Sequence, residues 1–517
     1  MVNNSKNSLY TVLLVTAALI IGALAGKHFS TNNSGESGSR VWITGNSKIE
    51  QILKLMKNDY VDSLDVDSIS ELAIINLLAQ LDPHSVYMPP VDLEEFNTEM
   101  QGEFDGIGVE FNILRDSVVV ANVLPEGPSS RVGLKEGDRI VKVDGEIIAG
   151  IGITNADVIK KLRGERGTKV NVVIYRPAQG KELEFTITRG PIPVHSVDNV
   201  VMLSDAIGYI KVSRFIDKTH KEFKAGIAQL KSEGAKKLIV DLRGNGGGYL
   251  NQAVDMIDEL LADGLITYTQ GAHRKRKDYK AKAGGIFEKG ELVVLIDESS
   301  ASASEVFAGA IQDRDRGLIV GRKSFGKGLV QEVINLTDGS AIRLTIARYY
   351  TPSGRCIQKP YEHGMFEYYF GTHKENIDSL VDAGALEKFY TASGRLVYES
   401  GGITPDIVVE EDSSGITDKT YDLWQKGIIY DVSFQLADMY RDSKSLPSSI
   451  DEKILSLTQK LAEEDLKLTA AERKFVLMQT KRYLSRNLGS NKDATRQLLK
   501  ADKVIIEAIK AFDKYPF

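Results

Sequence analysis

Serine and lysine residues that could form a hydrolytic pair lie in one stretch of the chain, Glu291 to Gln331. An apolar run ends there in a cluster of four serines, which are Ser299, Ser300, Ser302 and Ser304. A helix-forming segment follows, and Lys327 then lies between two glycines in the sequence Phe-Gly-Lys-Gly. A serine hydroxyl becomes a good nucleophile when a neighbouring base takes its proton, and a desolvated lysine can be that base. The pattern predicts a serine hydrolase with a lysine base, although composition does not say which serine reacts.

Both halves of this pattern have a structural alternative. Serine often caps the N-terminus of a helix, and a Gly-Lys-Gly sequence is often a basic surface turn. A lysine acts as a base only when it is neutral, so its reference pKa of about 10.4 must be lowered by burial. The apolar neighbours Phe325, Leu329 and Val330 are the expected source of that desolvation.

The spacing of these motifs is similar to that of a known protease family. The sequence SASASE, followed by FGKG and a glutamine, resembles the catalytic core of the C-terminal processing peptidases, also called tail-specific proteases. The resemblance implies that Ser302 is the nucleophile and Lys327 the general base. It also implies that Gln331 orients the lysine.

A glycine-rich segment, Asp241 to Gly248, resembles another motif of the same family, DLRxNxGG. It lacks the GK[ST] ending and the GxGxxG spacing of nucleotide-binding loops. The resemblance implies an oxyanion hole in which Gly248, or alternatively Gly247, lends one backbone N–H group. The amide of Ala303 would be the second donor.

Several polar neighbours have roles that the sequence leaves open. Glu305 either touches the catalytic pair or complements the helix dipole from the first turn. Arg243 and Asn245 are expected to support the glycine-rich loop. His84, in the family-like sequence LDPHS, is expected to be a structural turn residue rather than a second base.

Short β-branched runs separated by glycine, proline and aspartate turns predict a small β-rich domain over residues 101–190. Its sequence GPSSRVGLKEGDRIVKVDG resembles a PDZ domain. In such domains an apolar chain terminus adds as a strand, and loop amides hold its carboxylate. The resemblance implies that Gly106, Ile107 and Gly108 form this loop. Arg163 either reaches the protease core when a tail is bound or is a solvated surface residue.

The first residues predict a targeting segment over 1–27, followed by a flexible linker over 28–44. An uncharged, mostly apolar run from Ser8 to Gly26 has a length between a signal-peptide core and a membrane span. The sequence Ala23-Leu24-Ala25 favours cleavage, whereas the run length and Lys27 favour a retained anchor. The anchor is slightly favoured, which predicts a protein of the periplasm or cell envelope held in the inner membrane.

The remaining pattern predicts an α/β multidomain protein. Helices are expected over 45–100, an alternating strand–helix protease core over 191–410, and a helical extension over 411–517. The family resemblance implies a core of the crotonase-like (ClpP/crotonase) type, into which the PDZ domain is inserted. The amphipathic C-terminal helices are expected to pack on the core or on a second subunit, which allows a homodimer.

Composition narrows the function classes. The 517 residues carry a net charge of −6, which gives no basic surface for nucleic acid. The single cysteine, Cys356, excludes an internal disulfide, and scattered histidines give no metal-binding spacing. We therefore expect neither a metal nor another cofactor.

The sequence predicts an exported serine endopeptidase that acts at or near the C-termini of protein substrates with apolar tails. Two alternatives stay open. One is a catalytically silent PDZ-containing envelope adaptor, which loss of Ser302, Lys327 or the glycine-rich loop would favour. The other is a CoA-binding enzyme with a crotonase-like fold, which the exported location disfavours.

Overall fold

The computed structural model describes residues 48–114, 116–124, 127–362, 364–370, 386–410, 413–440, 443, 445–462, 466–488 and 492–514. The chain divides into two compact units, Met1–Ala73 and Ile74–Phe517. The predicted targeting segment and linker lie outside the described residues. Among the residues that are described, no helix is both long and apolar enough to cross a membrane.

Three helices and one strand precede the β-rich domain. They are α1 (Lys48–Asp59), α2 (Val66–Leu78), β1 (Val86–Met88) and α3 (Pro90–Gln101). Helix α2 ends before the sequence LDPHS, because Asp82 accepts the backbone N–H groups of His84 and Ser85 at 2.8 and 3.0 Å and stabilises a turn. Helix α3 has proline at its first position and ends at Gly102 with φ +70°, as expected of a helix start and stop.

The β-rich domain is one antiparallel sheet with two short helices. Its strands are β3 (Val109–Leu114), β4 (Ser117–Val123), β5 (Arg139–Val143), β6 (Glu146–Ile147), β7 (Lys169–Arg176) and β8 (Lys181–Thr188). Its helices are α4 (Pro128–Val132) and α5 (Asn155–Leu162). The strand order is β3-β4-β5-β7-β8, with β6 beside β5, so β3 lies at an edge. Two strands, β2 (Glu103–Gly106) and β9 (Gly190–Pro193), pair with each other and join both ends of the domain to the core.

The core contains a six-stranded sheet whose strands are parallel except at one edge. Its strands are β10 (Val197–Met202), β11 (Ile207–Val212), β12 (Lys237–Asp241), β15 (Glu291–Ile296), β16 (Leu318–Gly321) and β21 (Ile407–Val408), in that spatial order. Three helices cover one face: α6 (Thr219–Ser232), α7 (Leu250–Asp258) and α8 (Ala303–Asp313). Because neighbouring parallel strands end at one edge, the loops after β12 and β15 lie together there.

A second core sheet has the order β1-β18-β13-β14, with β17 also paired to β18. Its remaining strands are β13 (Gly264–Gln270), β14 (Lys277–Ala281), β17 (Leu329–Asn335) and β18 (Ala341–Tyr350). Helix α9 (Met365–Phe370) and the strand pair β19 (Lys388–Tyr390) and β20 (Leu396–Tyr398) follow. The sheet brings the segment before β1 next to the loop before β17.

The C-terminal residues form six helices in the described part of the chain. They are α10 (Asp418–Gln425), α11 (Ile428–Tyr440), α12 (Ile450–Ala462), α13 (Ala470–Asn487), α14 (Lys492–Leu499) and α15 (Lys503–Lys514). Helices α10 to α14 share an apolar core of their own, which we call the C-terminal bundle. Helix α15 instead packs on the face of the six-stranded sheet opposite α6, α7 and α8.

Candidate active site

Ser302 lies at a sharp turn between β15 and α8. It has φ +56° and ψ −114°, a conformation that is costly for a residue with a side chain. It is also the N-cap of α8, so its hydroxyl is held at the positive end of the helix. A strained serine between a strand and a helix is a recurrent position for a nucleophile.

Lys327 lies in the loop before β17 and is partly buried. Burial lowers its pKa to about 8, and the positive charge of Arg343 acts in the same direction. The carboxylates of Glu305 and Asp82 oppose this shift. The preceding residue, Gly326, has φ +91°, and a Cβ there would lie 2.5 Å from the Gly401 carbonyl oxygen. The close approach of two loops therefore requires this glycine and contributes to the desolvation.

Glu305 connects the two predicted catalytic residues. Its Oε2 accepts the backbone N–H groups of Ser302 and Lys327, both at 2.8 Å, while its Oε1 accepts from Ser324 Oγ and Gly326 N. Burial raises the pKa of this fully buried carboxyl, and the four donated hydrogen bonds oppose that effect. Of the two roles considered for Glu305, the structure shows both: it completes the capping box of α8 and it touches the backbone of the pair.

Tyr349, from the end of β18, holds the same two residues on their carbonyl side. Its hydroxyl lies 3.1 Å from the Ser302 carbonyl oxygen and also donates to the Lys327 carbonyl. Burial raises the pKa of this tyrosine well above its usual value, so the hydroxyl keeps its proton. The sequence does not mark Tyr349 as a site residue; its one signal is its place in RYYTPSGR, residues 348–355, which resembles another motif of the family.

The glycine-rich loop lies against the serine turn. A Cβ at Gly247, where φ is +103°, would lie 2.8 Å from both Ser302 Cβ and the Ala301 carbonyl oxygen. The bridge between Phe215 and Gly248 uses the carbonyl of Gly247 and the N–H of Tyr249. This bridge leaves the N–H group of Gly248 unused. Within the described residues, neither this N–H group nor that of Ala303, at the start of α8, has an acceptor. Two unpaired amides beside the predicted nucleophile would suit an oxyanion hole, and their role stays a prediction.

Gln331 and the lysine are near each other in the chain, but the amide of Gln331 donates to Thr345 Oγ1 at 3.2 Å. Thr345 in turn donates to Asp82 Oδ1 at 3.1 Å. In the part of the chain that the structure describes, no hydrogen bond joins Gln331 to Lys327 or Ser302 Oγ to Lys327 Nζ. The orienting role of Gln331 stays a prediction.

His84 lies within a group of aromatic side chains near the lysine. Its Nε2 is 2.9 Å from the Tyr368 hydroxyl, and the Tyr368 ring packs edge-on against Phe325 with centroids 5.3 Å apart. Burial lowers the His84 pKa to about 3, and the nearby charge of Lys327 adds to the effect. The histidine is therefore neutral and hydrogen-bonded within the group, as expected of a structural residue.

Asp241 and Arg243, the charged residues of the DLR sequence, face the C-terminal region and α15 rather than the serine turn. Asp241 accepts from the Tyr209 hydroxyl at 2.7 Å and from Arg243 at 2.7–3.1 Å. Burial alone would raise the Asp241 pKa, but the charges of Arg243 and Lys211 outweigh it and hold that pKa well below its usual range. Arg243 also donates to Asp502 of the C-terminal region at 2.9 Å. These contacts fix the start of the glycine-rich loop, as predicted for Arg243.

The predicted tail-binding loop lies beside β3. The carbonyls of Ile107 and Gly108 accept from Ser129 and Leu124, whereas their own N–H groups have no acceptor among the described residues. Gly106 pairs with Gly190 at the end of β2. These features suit a loop that binds a carboxylate.

Arg163 lies just beyond the groove between β3 and α5, next to the predicted tail-binding loop. It follows α5, and its guanidinium lies 4.5 Å from the centre of the Phe104 ring, in the β2–β9 link to the core. Its response to a bound tail stays a prediction.

Two segments of the chain, the core and the β-rich domain, match known protein families. Residues 206–364 match the profile of Peptidase family S41, and residues 106–188 match that of the PDZ domain. The first range contains the serine turn, the lysine loop and the glycine-rich loop.

The chain is similar to named relatives over most of its length. It is 35% identical over 353 residues to a carboxy-terminal-processing protease of Bartonella bacilliformis, which covers 67% of this chain and 78% of that protein. It is 32% identical over 359 residues to the carboxy-terminal processing protease CtpA of Bacillus subtilis, covering 68% and 75%. Among solved structures, a photosystem II D1 C-terminal processing protease matches with 28% identity and a TM-score of 0.37, covering 71% of this chain and 87% of the other. With its S41 core and its PDZ domain, the chain belongs to the carboxy-terminal processing proteases of peptidase family S41.

Proposed function

We propose that this chain is an exported serine endopeptidase that uses Ser302 as nucleophile and Lys327 as general base. Its substrates are proteins with apolar C-terminal tails, and it cuts them at or near those tails. The PDZ domain selects the substrate by binding the tail. The reaction uses no cofactor.

One observation carries the assignment of the catalytic pair. A single carboxylate oxygen of Glu305 accepts the backbone N–H groups of both Ser302 and Lys327 at 2.8 Å. The two backbone nitrogens are therefore within twice that distance of each other, although the residues come from different loops. A buried carboxylate with four donors is a rigid anchor, and it holds a strained serine beside a lysine whose pKa is near 8.

The reaction follows from these positions. Neutral Lys327 takes the proton of Ser302 Oγ as the oxygen attacks the peptide carbonyl carbon, and the carbonyl oxygen becomes an oxyanion. The N–H groups of Gly248 and Ala303 donate to this oxyanion, and a donor of this kind contributes about 3–4 kcal/mol. The lysine ammonium then protonates the leaving amine, which leaves an acyl-enzyme. Water attacks the acyl-enzyme while Lys327 accepts a proton from it, and Lys327 then gives that proton to Ser302 Oγ as the serine leaves the acyl group.

The groove beside β3 supports tail recognition. Strand β3 is an edge strand, so it can pair with an added strand. The unpaired amides of Ile107 and Gly108 lie at the end of the groove, where the terminal carboxylate of that strand would bind.

The remaining assignments follow from the sequence. We propose that residues 1–27 are a signal peptide or inner-membrane anchor and that 28–44 form a linker to the enzyme in the periplasm or cell envelope. The limits 45–100, 101–190, 191–410 and 411–517 are the proposed domain boundaries. The strand–helix order of the core supports the crotonase-like fold that the family resemblance implies.

A silent adaptor is the second candidate, and one observation favours it. Within the described residues, Ser302 Oγ and Lys327 Nζ share no hydrogen bond. Catalytic hydrogen bonds often tighten only when substrate is bound, however, so the proposed enzyme also allows this geometry.

Intact-mass spectrometry of a cleavage reaction separates the two candidates. The full-length protein, Ser302→Ala and Lys327→Ala are each incubated with an unstructured protein that ends in apolar residues. A second substrate is identical except for an acidic C-terminus. The enzyme proposal expects cleavage by wild type alone, and faster cleavage of the apolar-tailed substrate. Cleavage by Ser302→Ala would contradict the nucleophile assignment, whereas tail binding by wild type without any cleavage would support the adaptor.

A further inference from the structure

A cavity of about 1320 Å³ lies between the PDZ domain and the C-terminal bundle. One wall is the groove between β3 and α5, including the carboxylate loop at Ile107 and Gly108. The other wall comes from the bundle, through Ile428 and Tyr430 of α11 and through the end of α12. The predicted tail-binding groove is therefore enclosed by a second part of the same chain.

The two faces of β3 have different surroundings. Val109, Phe111 and Ile113 pack against the PDZ core, so the alternating residues Glu110 and Asn112 point the other way. Asn112 reaches the bundle there, because its Nδ2 lies 2.5 Å from the Tyr430 hydroxyl. The bundle therefore faces the side of β3 that points away from the PDZ core.

A strand added beside β3 would have the same alternation. Successive side chains of a strand point to opposite faces. One set would contact Ile159 and Leu162 of α5, which line the PDZ side of the cavity. The other set would meet Ile428 and Leu461 of the bundle instead of water.

The bundle encloses the groove without filling it. The cavity is larger than the roughly 300–1000 Å³ of usual small-molecule sites, so it has room for an extended peptide. The bundle has a packed apolar core of its own, so its cavity-lining surface is held in a defined position. Among the described residues of the bundle, the charged side chains that line the cavity are Lys426 and Asp431, which are of opposite sign.

We propose that the C-terminal bundle is a second recognition wall for the substrate tail. The PDZ domain binds the carboxylate and one set of alternate side chains, and Ile428, Tyr430, Leu461 and Ala462 bind the other set. The occupant is an extended tail with apolar residues on both faces. This inference rests on the proposed function, because it deepens the selection of apolar tails.

The test measures peptide binding by the full-length chain carrying Ser302→Ala, so that the probe is not cut. The probe is a short fluorescent peptide that ends in consecutive apolar residues, read by fluorescence anisotropy. Ala462→Trp fills the bundle side of the cavity and is expected to raise Kd at least about tenfold. Lys426→Trp places a side chain of the same size in the cavity from an exposed position. It is also expected to raise Kd, and it does so without disturbing the bundle core. Ser456→Trp, exposed on α12 and away from the cavity, is the matched control with unchanged Kd.

A second comparison uses peptides in which one apolar residue is replaced by lysine at successive positions. Two-sided recognition expects weaker binding at adjacent positions, whereas a one-sided groove tolerates every second replacement. Unchanged or tighter binding by both Ala462→Trp and Lys426→Trp would overturn the inference and leave PDZ-based selection standing. If the parent chain binds no apolar-tailed peptide, the proposed selection and this inference both fail.

Discussion

The surroundings of Lys327, the proposed base, set its pKa. Burial contributes most to its lowered pKa of about 8, and Arg343 adds a nearby positive charge. His84 is neutral because its own pKa is near 3, so it adds no further charge. The free base is therefore well populated around pH 8, which is far below the pKa of a solvated lysine.

The pH dependence of kcat/KM tests this environment. The protonated lysine lacks the lone pair that accepts the serine proton, so the rate should rise with pH and level off above a midpoint near 8. Arg343→Gln removes a charge that disfavours the ammonium form, so the midpoint should move to higher pH. The profiles are measured with one peptide substrate.

Lys289→Gln is the control for this experiment. It also removes one positive charge, but from an exposed residue before β15, at the end of the strand away from Ser302. Its midpoint should match wild type. A wild-type midpoint near 10.5, or no change in Arg343→Gln, would contradict the role given to burial and charge.

At the residue scale, the sequence motifs indicate candidate reacting residues but not the contacts that hold them. Ser302 and Lys327 were found through their motifs, and the desolvation of the lysine followed from chemistry. Tyr349 and Tyr368 were not found, because they lie in other segments and only the fold brings them to the lysine loop. Glu305 was noticed, but its contact with Lys327 depends on a loop that follows it in the chain.

The first turn of helix α8 has a structural role and a proposed catalytic role. Its capping box is formed by Ser302 and Glu305, and the same glutamate binds the lysine loop. Helix stability and the relative position of the two proposed catalytic residues therefore depend on one side chain.

Glu305→Gln tests this dependence. Each carboxylate oxygen accepts two hydrogen bonds, so the amide nitrogen of glutamine would face two donors in either orientation. Losing two charge-assisted bonds should lower the free energy of unfolding by about 3–6 kcal/mol. The displaced pair should lose activity by about 100-fold or more, since small misplacements have that effect. Chemical denaturation and peptide cleavage are the two measurements.

Glu222→Gln is a matched control. Glu222 Oε2 accepts from Ser196 N, Ser196 Oγ and Val197 N, at the edge strand β10. Its glutamine variant should lose stability and retain kcat. Equal loss of kcat in both variants would show that the Glu305 effect is only a loss of stability.

Elements with strong local signals were predicted closely. The sequence predicts a PDZ helix from Asn155 to Leu162, and the structure has it there because Thr154 and Asp157 form a capping box that marks its start. The sequence also predicts a helix near Asn251 to Asp263, whereas the structure has it over Leu250–Asp258, so it ends early. The polar composition of the segment from His363 to Ala392 predicts an insertion, yet this segment contains α9, whose Tyr368 and Tyr369 pack on Phe325 of the lysine loop. Nothing local distinguishes an aromatic pair that packs from one that is exposed.

The C-terminal region stabilises the core, and it also forms the proposed recognition wall. Helix α15 covers the outer face of the six-stranded sheet with five buried residues, which are Val504, Ile505, Ala508, Ala511 and Phe512. Without this helix, buried residues of the strands such as Val293 and Val320 would be exposed to water.

Ile505→Ala measures this contribution. Ile505 is fully buried, so the substitution should lower the free energy of unfolding by about 2–5 kcal/mol. Lys510→Ala, on the same helix, removes a half-exposed pair with Glu507 and should change it by less than about 1 kcal/mol. Urea denaturation gives both values. A similar, small effect in both variants would mean that α15 is not an integral part of the sheet's packing.

The pairing of β1 with β18 also makes the lysine pocket depend on a late strand of the core. Val86–Met88 pairs with Ala341–Arg343, and Asp82 binds Thr345, so the lysine pocket joins segments far apart in the sequence. Tyr349, at the end of β18, also contacts the carbonyls of Ser302 and Lys327, so both proposed catalytic residues depend on this strand. Until β18 is in place, Lys327 is solvated and protonated at neutral pH, with a pKa near 10.4. A chain that lacks β18 therefore has neither a neutral Lys327 nor a fully held Ser302, so we expect proteolytic activity only after this strand has been made and paired.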